Sequence, residues 1–425
     1  MKLSMKNYKI FIVFNLFIII SIYFIPNSVL ANADLINVRL DSLGYFESVD
    51  LVSENGFEIY DIKGKTFDFN KNTKKSNYNL DNMDKAVQAK SGGYVEILGR
   101  KYRGMIFLTK ADNGFKLVNR LPMNEYLYGV LPNEMPASWE LEALKSQAIC
   151  ARTFAKKKMF LNNNLNYDLV DSTSSQVYKG YSYENKNSNK AVDLTSGLYL
   201  KYKGEYIDAV YHSCSGGYTE NSENIWNTSK PYLKGIEDVY SLNTPRTTWN
   251  ISIEKEELES ELNKSGYGVG RIKSIEVVEK SDFDRVMKLE INGTAGIQVL
   301  EKEEIRKVLG YDRIPSIWYT ITSDSPIYLL NSQDGKVIKT DSNDIFVIDK
   351  SNKINLEIKN MNIKSAYEVK EIKTSNNGKI LINGNGYGHG VGLSQWGAKN
   401  MAQIGFTYEE ILKFYYQNVD LISEE

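Results

Sequence analysis

Apolar residues at 141, 144, 148, 151, 155 and 159 (Leu141, Leu144, Ala148, Ala151, Ala155, Met159) recur at helical spacing and predict an amphipathic helix over 139–160. Ser138 stands where an N-cap belongs, Glu140 and Glu142 complement the dipole of the first turn, and Lys156, Lys157 and Lys158 close the last. Ahead of it, Pro132 and Pro136 bracket a segment that they stiffen, and this predicts a rigid loop carrying Glu134. A second helix carries Trp396, Met401 and Ile404 and stops at Gly405. A third opens at Thr407, where Thr407-x-x-Glu410 reads as a capping box. Further helices are expected at 254–263 and 301–309. Elsewhere the period falls to two. Residues 34–117 alternate short β-like runs (VRLDSLGY, FEIYDI, YVEILG, MIFLTKA) with polar turns, and 68–84 is an Asn/Lys-rich connection. Ile207, Ala209 and Tyr211 alternate as in a strand, which puts His212 and Cys214 on one face. Residues 320–378 are strand-like and rich in Asn, Ser, Asp and Lys. No repeat shows at a solenoid period. The fold class is α+β, with antiparallel sheets and a few packed helices. The pattern divides the chain into 1–33, a β-rich region at 34–117, and a mixed region at 118–425 with a β-rich insertion at about 320–378.

A chain of 425 residues has room for two or three compact units. Its 52 basic and 53 acidic residues give no electrostatic footprint for nucleic acid. Lysines at 2, 6 and 9 precede an apolar run at 10–25, which Asn15 and Ser21 interrupt and which is short for a membrane span. Ala31-Asn32-Ala33 supplies a small-x-small cleavage site. The segment reads as a signal peptide, with an uncleaved N-terminal anchor as the alternative. Either way the folded part is expected outside the cytoplasm, secreted or anchored at the outer face of the membrane.

Candidate chemistry is concentrated in a few places. In GNGYGHGVGLSQWGA (384–398), glycines at every second position let the backbone turn tightly and approach a ligand closely. No GK[ST] ending and no acidic residue at dinucleotide-fold spacing follows, so this is not a nucleotide loop. It offers His389, Ser394 and Gln395. The chain has two histidines, and the other, His212, lies beside an SGG turn. Gln176 and Tyr178, in SQVYKG, suit a sugar through paired hydrogen bonds and a stacking face. Cys150 and Cys214 make no disulfide scaffold, and Cys150 is expected to be a buried inert thiol. His212 and Cys214 would supply two zinc ligands where at least three are needed, and no second cysteine lies near. Glu134 has the placement of a general acid. On spacing alone, an ordinary salt bridge is the more frequent meaning of such a carboxylate.

Five ordered segments change that balance: NRLPMNEYLYGVLPNEMP (119–136), EALKSQAICARTFA (142–155), VDSTSSQVYKG (170–180), YHSCSGGYTENSENIW (211–226) and GYGHGVGLSQWGAKNMAQIGFTYEEILKFYY (386–416). Through them the chain resembles the stage II sporulation protein D (SpoIID/LytB) family of peptidoglycan-active proteins. The resemblance implies a lytic transglycosylase that cuts the MurNAc–GlcNAc β-1,4 bond of glycan strands, preferring strands without stem peptides, and leaves 1,6-anhydro-MurNAc ends. It implies that Glu134 is the catalytic acid and that 118–425 is the catalytic region. Arg152, Gln176, Tyr178, His212, His389 and Gln395 are then the expected substrate-binding residues, with bracing of the Glu134 loop as an alternative role for Arg152. No cofactor is required. Zinc on His212 and Cys214 is the one candidate metal, since some relatives bind zinc through Cys and His near this place. The alternative implied by the family is a non-catalytic wall-binding activator of a partner amidase.

Overall fold

The computed structural model describes residues 35–424, apart from short stretches at 62–65, 69–74, 80, 82–84, 163–165, 323–326, 331–336, 341–345, 350–351, 356–359, 365–368 and 374–378. The expected signal or anchor segment, 1–33, lies outside the described residues. Among those described, no helix is long and apolar enough to cross a membrane. The architecture is α+β with mainly antiparallel sheets, as the periodicity predicts. The chain forms two compact units, one comprising 1–134 and 158–185, the other 135–157 and 186–425.

In the first unit, β-branched and apolar residues at every second position bury one face of Leu35–Arg39, where Ile36 and Val38 are fully buried. A seven-stranded sheet runs in the order Leu169–Val170, Leu35–Arg39, Gly114–Pro122, Met105–Ala111, Lys85–Ala89, Phe57–Asp61, Thr66–Asp68. Only its first pair is parallel. A four-stranded sheet of Lys75–Asn79, Ser48–Val52, Val95–Ile97 and Arg100–Tyr102 completes the unit. Strand Gly114–Pro122 carries the chain through Val118 without a break and leads directly into helix α1 (Met123–Glu134). The rigid loop expected between the two prolines is therefore corrected. Pro132 lies inside the helix, near its end, and Glu134 is the last helical residue. The proline removes one N–H from the ladder, and the helix continues through it on the packing of its buried face, which includes Tyr126, Leu127 and Val130.

Helix α2 (Leu141–Leu161) begins two residues later than the pattern suggests, and Ser138 stands in the preceding turn, closed by Trp139 N–H on Pro136 O. The second unit continues with α3 (Lys186–Leu194), α4 (Ser222–Trp226), α5 (Lys255–Lys264), α6 (Glu303–Leu309), α7 (Gln395–Gln403) and α8 (Tyr408–Tyr415). Thr407 and Glu410 form the reciprocal capping box read from the sequence. One apolar core gathers Ile149, Leu200, Val391, Leu393, Met401 and Tyr416. Another lies under the sheet Ile272–Lys280, Val286–Gly293, Gly296–Glu301 and includes Leu262, Ile291 and Ile305. Strands Tyr211–His212 and Leu393–Ser394 pair in parallel, bringing the SGG turn beside the glycine-rich segment. Within 323–378 the described backbone is three two-stranded antiparallel ribbons, such as Ile327–Leu330 with Val337–Thr340.

Candidate active site

In the first unit the site is built around the end of α1. The Glu134 side chain is half-buried, and its Oε1 accepts the Val177 N–H at 2.9 Å. The segment holding Val177 is locked along the helix. Tyr126 Oη donates to Gln176 Oε1 at 3.1 Å, and Tyr178 Oη donates to Asn119 Oδ1 at 2.7 Å. The rings of Tyr126 and Tyr178 lie 5.2 Å apart. Gly129 is required here, because a Cβ on it would lie 2.6 Å from the Tyr178 ring. Gln176 and Tyr178, expected to face a sugar, are 1% and 2% exposed. They hold the segment whose Val177 N–H meets the Glu134 carboxyl. Burial and the nearby charge of Glu134 push the Tyr126 phenol well above its ordinary range, so it stays a neutral donor. A helix C-terminus disfavours negative charge, whereas the Val177 N–H favours an accepting oxygen.

In the second unit, the Arg152 guanidinium is buried and points along its own fold. Nη1 donates to Thr195 O at 2.6 Å and Nη2 to Val192 O at 3.0 Å, capping the carbonyl end of α3 with a cation. Gln395 opens α7 and donates through Nε2 to Gln147 Oε1 at 3.3 Å, while Ser394 caps the helix by accepting Gly397 N–H. The two histidines stand together with ring centroids 5.4 Å apart. His389 Nδ1 accepts the Val391 N–H at 3.1 Å, which makes Nε2 the protonated nitrogen, donating to Tyr211 O at 3.0 Å. His212 carries the opposite tautomer, with Nδ1 donating to Val391 O at 3.1 Å. Its Nε2 is a buried acceptor with no partner among the described residues. Burial, and beyond it nearby cationic arginines, lower both imidazoles, His389 to about 4, so both are neutral near pH 7. Trp226, 43% exposed, lies against His389 at 5.1 Å between rings. Gly388 must lack a side chain, since its φ is +105° and a Cβ would lie 2.8 Å from that of His212.

The buried Cys214 Sγ is 3.5 Å from both Ser241 O and Thr244 Oγ1, and burial raises its thiol. Among the described residues no group of three or more His, Cys, Asp or Glu could hold a metal ion. Sequence reasoning missed the supporting residues. Asp238, fully buried, accepts from Ser215 Oγ at 2.7 Å, from Tyr415 Oη at 3.1 Å and from Ser241. Tyr126, Asn119 and Arg285 escaped likewise. Nothing local marks them, because their partners are distant in the chain.

A family model described as stage II sporulation protein matches residues 111–202, and a model of a domain of unknown function matches 236–336. The chain is 32% identical over 404 residues to a protein of Bacillus subtilis named amidase enhancer, covering 90% of this chain and 54% of that protein. It spans about half the length of that relative. It is 30% identical over 319 residues to stage II sporulation protein D of the same organism, covering 72% of this chain and 75% of the relative. An uncharacterized protein of Brachyspira hyodysenteriae is 32% identical over 325 residues, covering 76% of this chain and 73% of the relative.

Proposed function

This chain belongs to the stage II sporulation protein D family, and from that membership we propose that it is an exported lytic transglycosylase acting on peptidoglycan glycan strands. The observation that carries the reading is Glu134, a half-buried carboxyl at a helix end with one oxygen fixed by the Val177 N–H. Hydrolysis of a glycoside normally uses two carboxyl groups. Here one suffices, because the C6 hydroxyl of the muramyl residue replaces water. Glu134 protonates the departing glycosidic oxygen. Its carboxylate then takes the proton of the C6 hydroxyl as that oxygen attacks C1, closing a 1,6-anhydro ring. No cofactor enters these steps. His212 Nε2, a fixed neutral acceptor, suits a sugar hydroxyl or amide N–H, and Trp226 offers an exposed ring for a pyranose face. The chemistry is assigned to 118–425, outside the cytoplasm, in sporulation, engulfment or wall remodelling.

A second reading rests on one relative's name, amidase enhancer: a wall-binding activator of an amidase. An acid set in a helix end has no use in a pure activator, which favours the enzyme. Purified protein incubated with peptide-free glycan decides between them. Mass spectrometry should find 1,6-anhydro ends accumulating without any amidase. Intact strands, together with faster release of stem peptides by an added amidase, would support the activator instead.

A further inference from the structure

The region matched by the domain of unknown function reaches the histidines through one hairpin tip. Between strands Ile272–Lys280 and Val286–Gly293, residues 281–285 make a tight turn, with Ser281 N–H on Arg285 O at 2.8 Å and Asp284 N–H on Ser281 O at 3.0 Å. Three side chains project from it into the rest of the unit. Ser281 Oγ donates to the fully buried Glu220 carboxylate, whose own N–H donates to Gly390 O at 2.8 Å. The Phe283 ring packs on Tyr218 and fills the space a Cβ on Gly235 would need. Arg285, 1% exposed, donates through Nη2 to Tyr218 O at 2.9 Å and to Ser215 O at 3.2 Å. A Cβ on Gly390 (φ +80°) would overlap that guanidinium.

This is a costly arrangement. A buried cation is retained where removing it would strand its partners, yet Nε and Nη1 of Arg285 have no hydrogen-bond partner among the described residues. The oxygens of Glu220 are already taken by Asn221 N–H, Asn224 Nδ2 and Ser281. What the guanidinium does engage is backbone, and the Trp318 ring, whose centroid lies 5.3 Å away. It spans the SGG turn, three residues after His212, and abuts Gly390, the neighbour of His389.

We propose that the 281–285 hairpin tip is a built-in strut of the histidine pocket, with Arg285 as the positioning residue that sets the two histidine-bearing segments against each other for glycan. The region of unknown function is then part of the site, not an appended module. The glycan clause rests on the function proposed above, whereas the geometric clause does not. The chain's two histidines make the test direct, because their ring signals can be assigned by single substitution. Full-length protein carrying Arg285→Met is compared with wild type by ¹⁵N-resolved imidazole spectra at one neutral pH. The fixed, opposite tautomers should blur into averages, and His389 ring protons should shift. In a Glu134→Gln background, which binds without cutting, the dissociation constant for peptide-free glycan should rise about tenfold or more, since small misplacements of a site are amplified in recognition. Arg285→Lys keeps the charge but reaches one carbonyl at most, and should fall between. Unchanged imidazole spectra in a cooperatively folded Arg285→Met would overturn the strut. If that variant does not fold, unchanged spectra in Arg285→Lys would do the same. A wild-type chain that binds no glycan would sink the function, while the spectra would still decide the strut.

Discussion

At the scale of single residues, the positions expected to touch sugar divide into two kinds. Glu134 and His212 keep chemistry in hand, whereas Gln176, Tyr178, Arg152 and both ring nitrogens of His389 are engaged inside the fold. The sequence marks both kinds alike, because a motif records that a residue matters and not whether it meets a ligand or a neighbour. Arg152 allows a check. Arg152→Met strands the carbonyls of Val192 and Thr195 and should lower unfolding stability by roughly 3 kcal/mol. Glycan affinity of the folded fraction should stay near wild type. Denaturant melts with a binding titration read both, and a large affinity loss at unchanged stability would return Arg152 to the substrate.

At the scale of elements, α2, the capping box before α8 and the alternating strands were legible, because each depends on neighbours within one or two turns of chain. The end of α1 was not. Pro132 and Pro136 read as loop punctuation, but tertiary packing of Tyr126, Leu127 and Val130, all fully buried, extends the helix through Pro132. That extension is what places Glu134 against Val177. Gly129→Ala tests the coupling between the helix and the segment beside it. The added methyl meets Tyr178, so about 1–3 kcal/mol of stability should be lost. Cleavage should slow even where the variant is fully folded, because the Val177 N–H moves with Tyr178. Wild-type turnover in a destabilised Gly129→Ala would show that the acid does not depend on this contact.

At the scale of the whole molecule, the fold class was readable in the two periods of the chain. The first compact unit takes 158–185 back after the chain has left it at 134, a pairing set by contacts such as Leu169–Val170 with Leu35–Arg39 that no local pattern announces. The histidines leave a global signature. In the folded state His389 binds its proton only near pH 4, below the ordinary value of about 6.5. The unfolded chain therefore binds more protons in that window, and stability attributable to His389 falls as the pH drops from about 6.5 toward 4. Melting temperatures across that range should decline more steeply for wild type than for His389→Gln. Parallel curves would mean that the imidazole is not held neutral.

The most direct test is Glu134→Gln. The amide keeps an oxygen to accept the Val177 N–H, so the fold and glycan binding should persist. It cannot pass a proton, and positioned proton transfer contributes roughly 10²–10⁴-fold. Release of 1,6-anhydro ends from peptide-free glycan should therefore fall by at least about 10²-fold against wild type. Cleavage at the wild-type rate by Glu134→Gln would contradict the account and give the chemistry to another group.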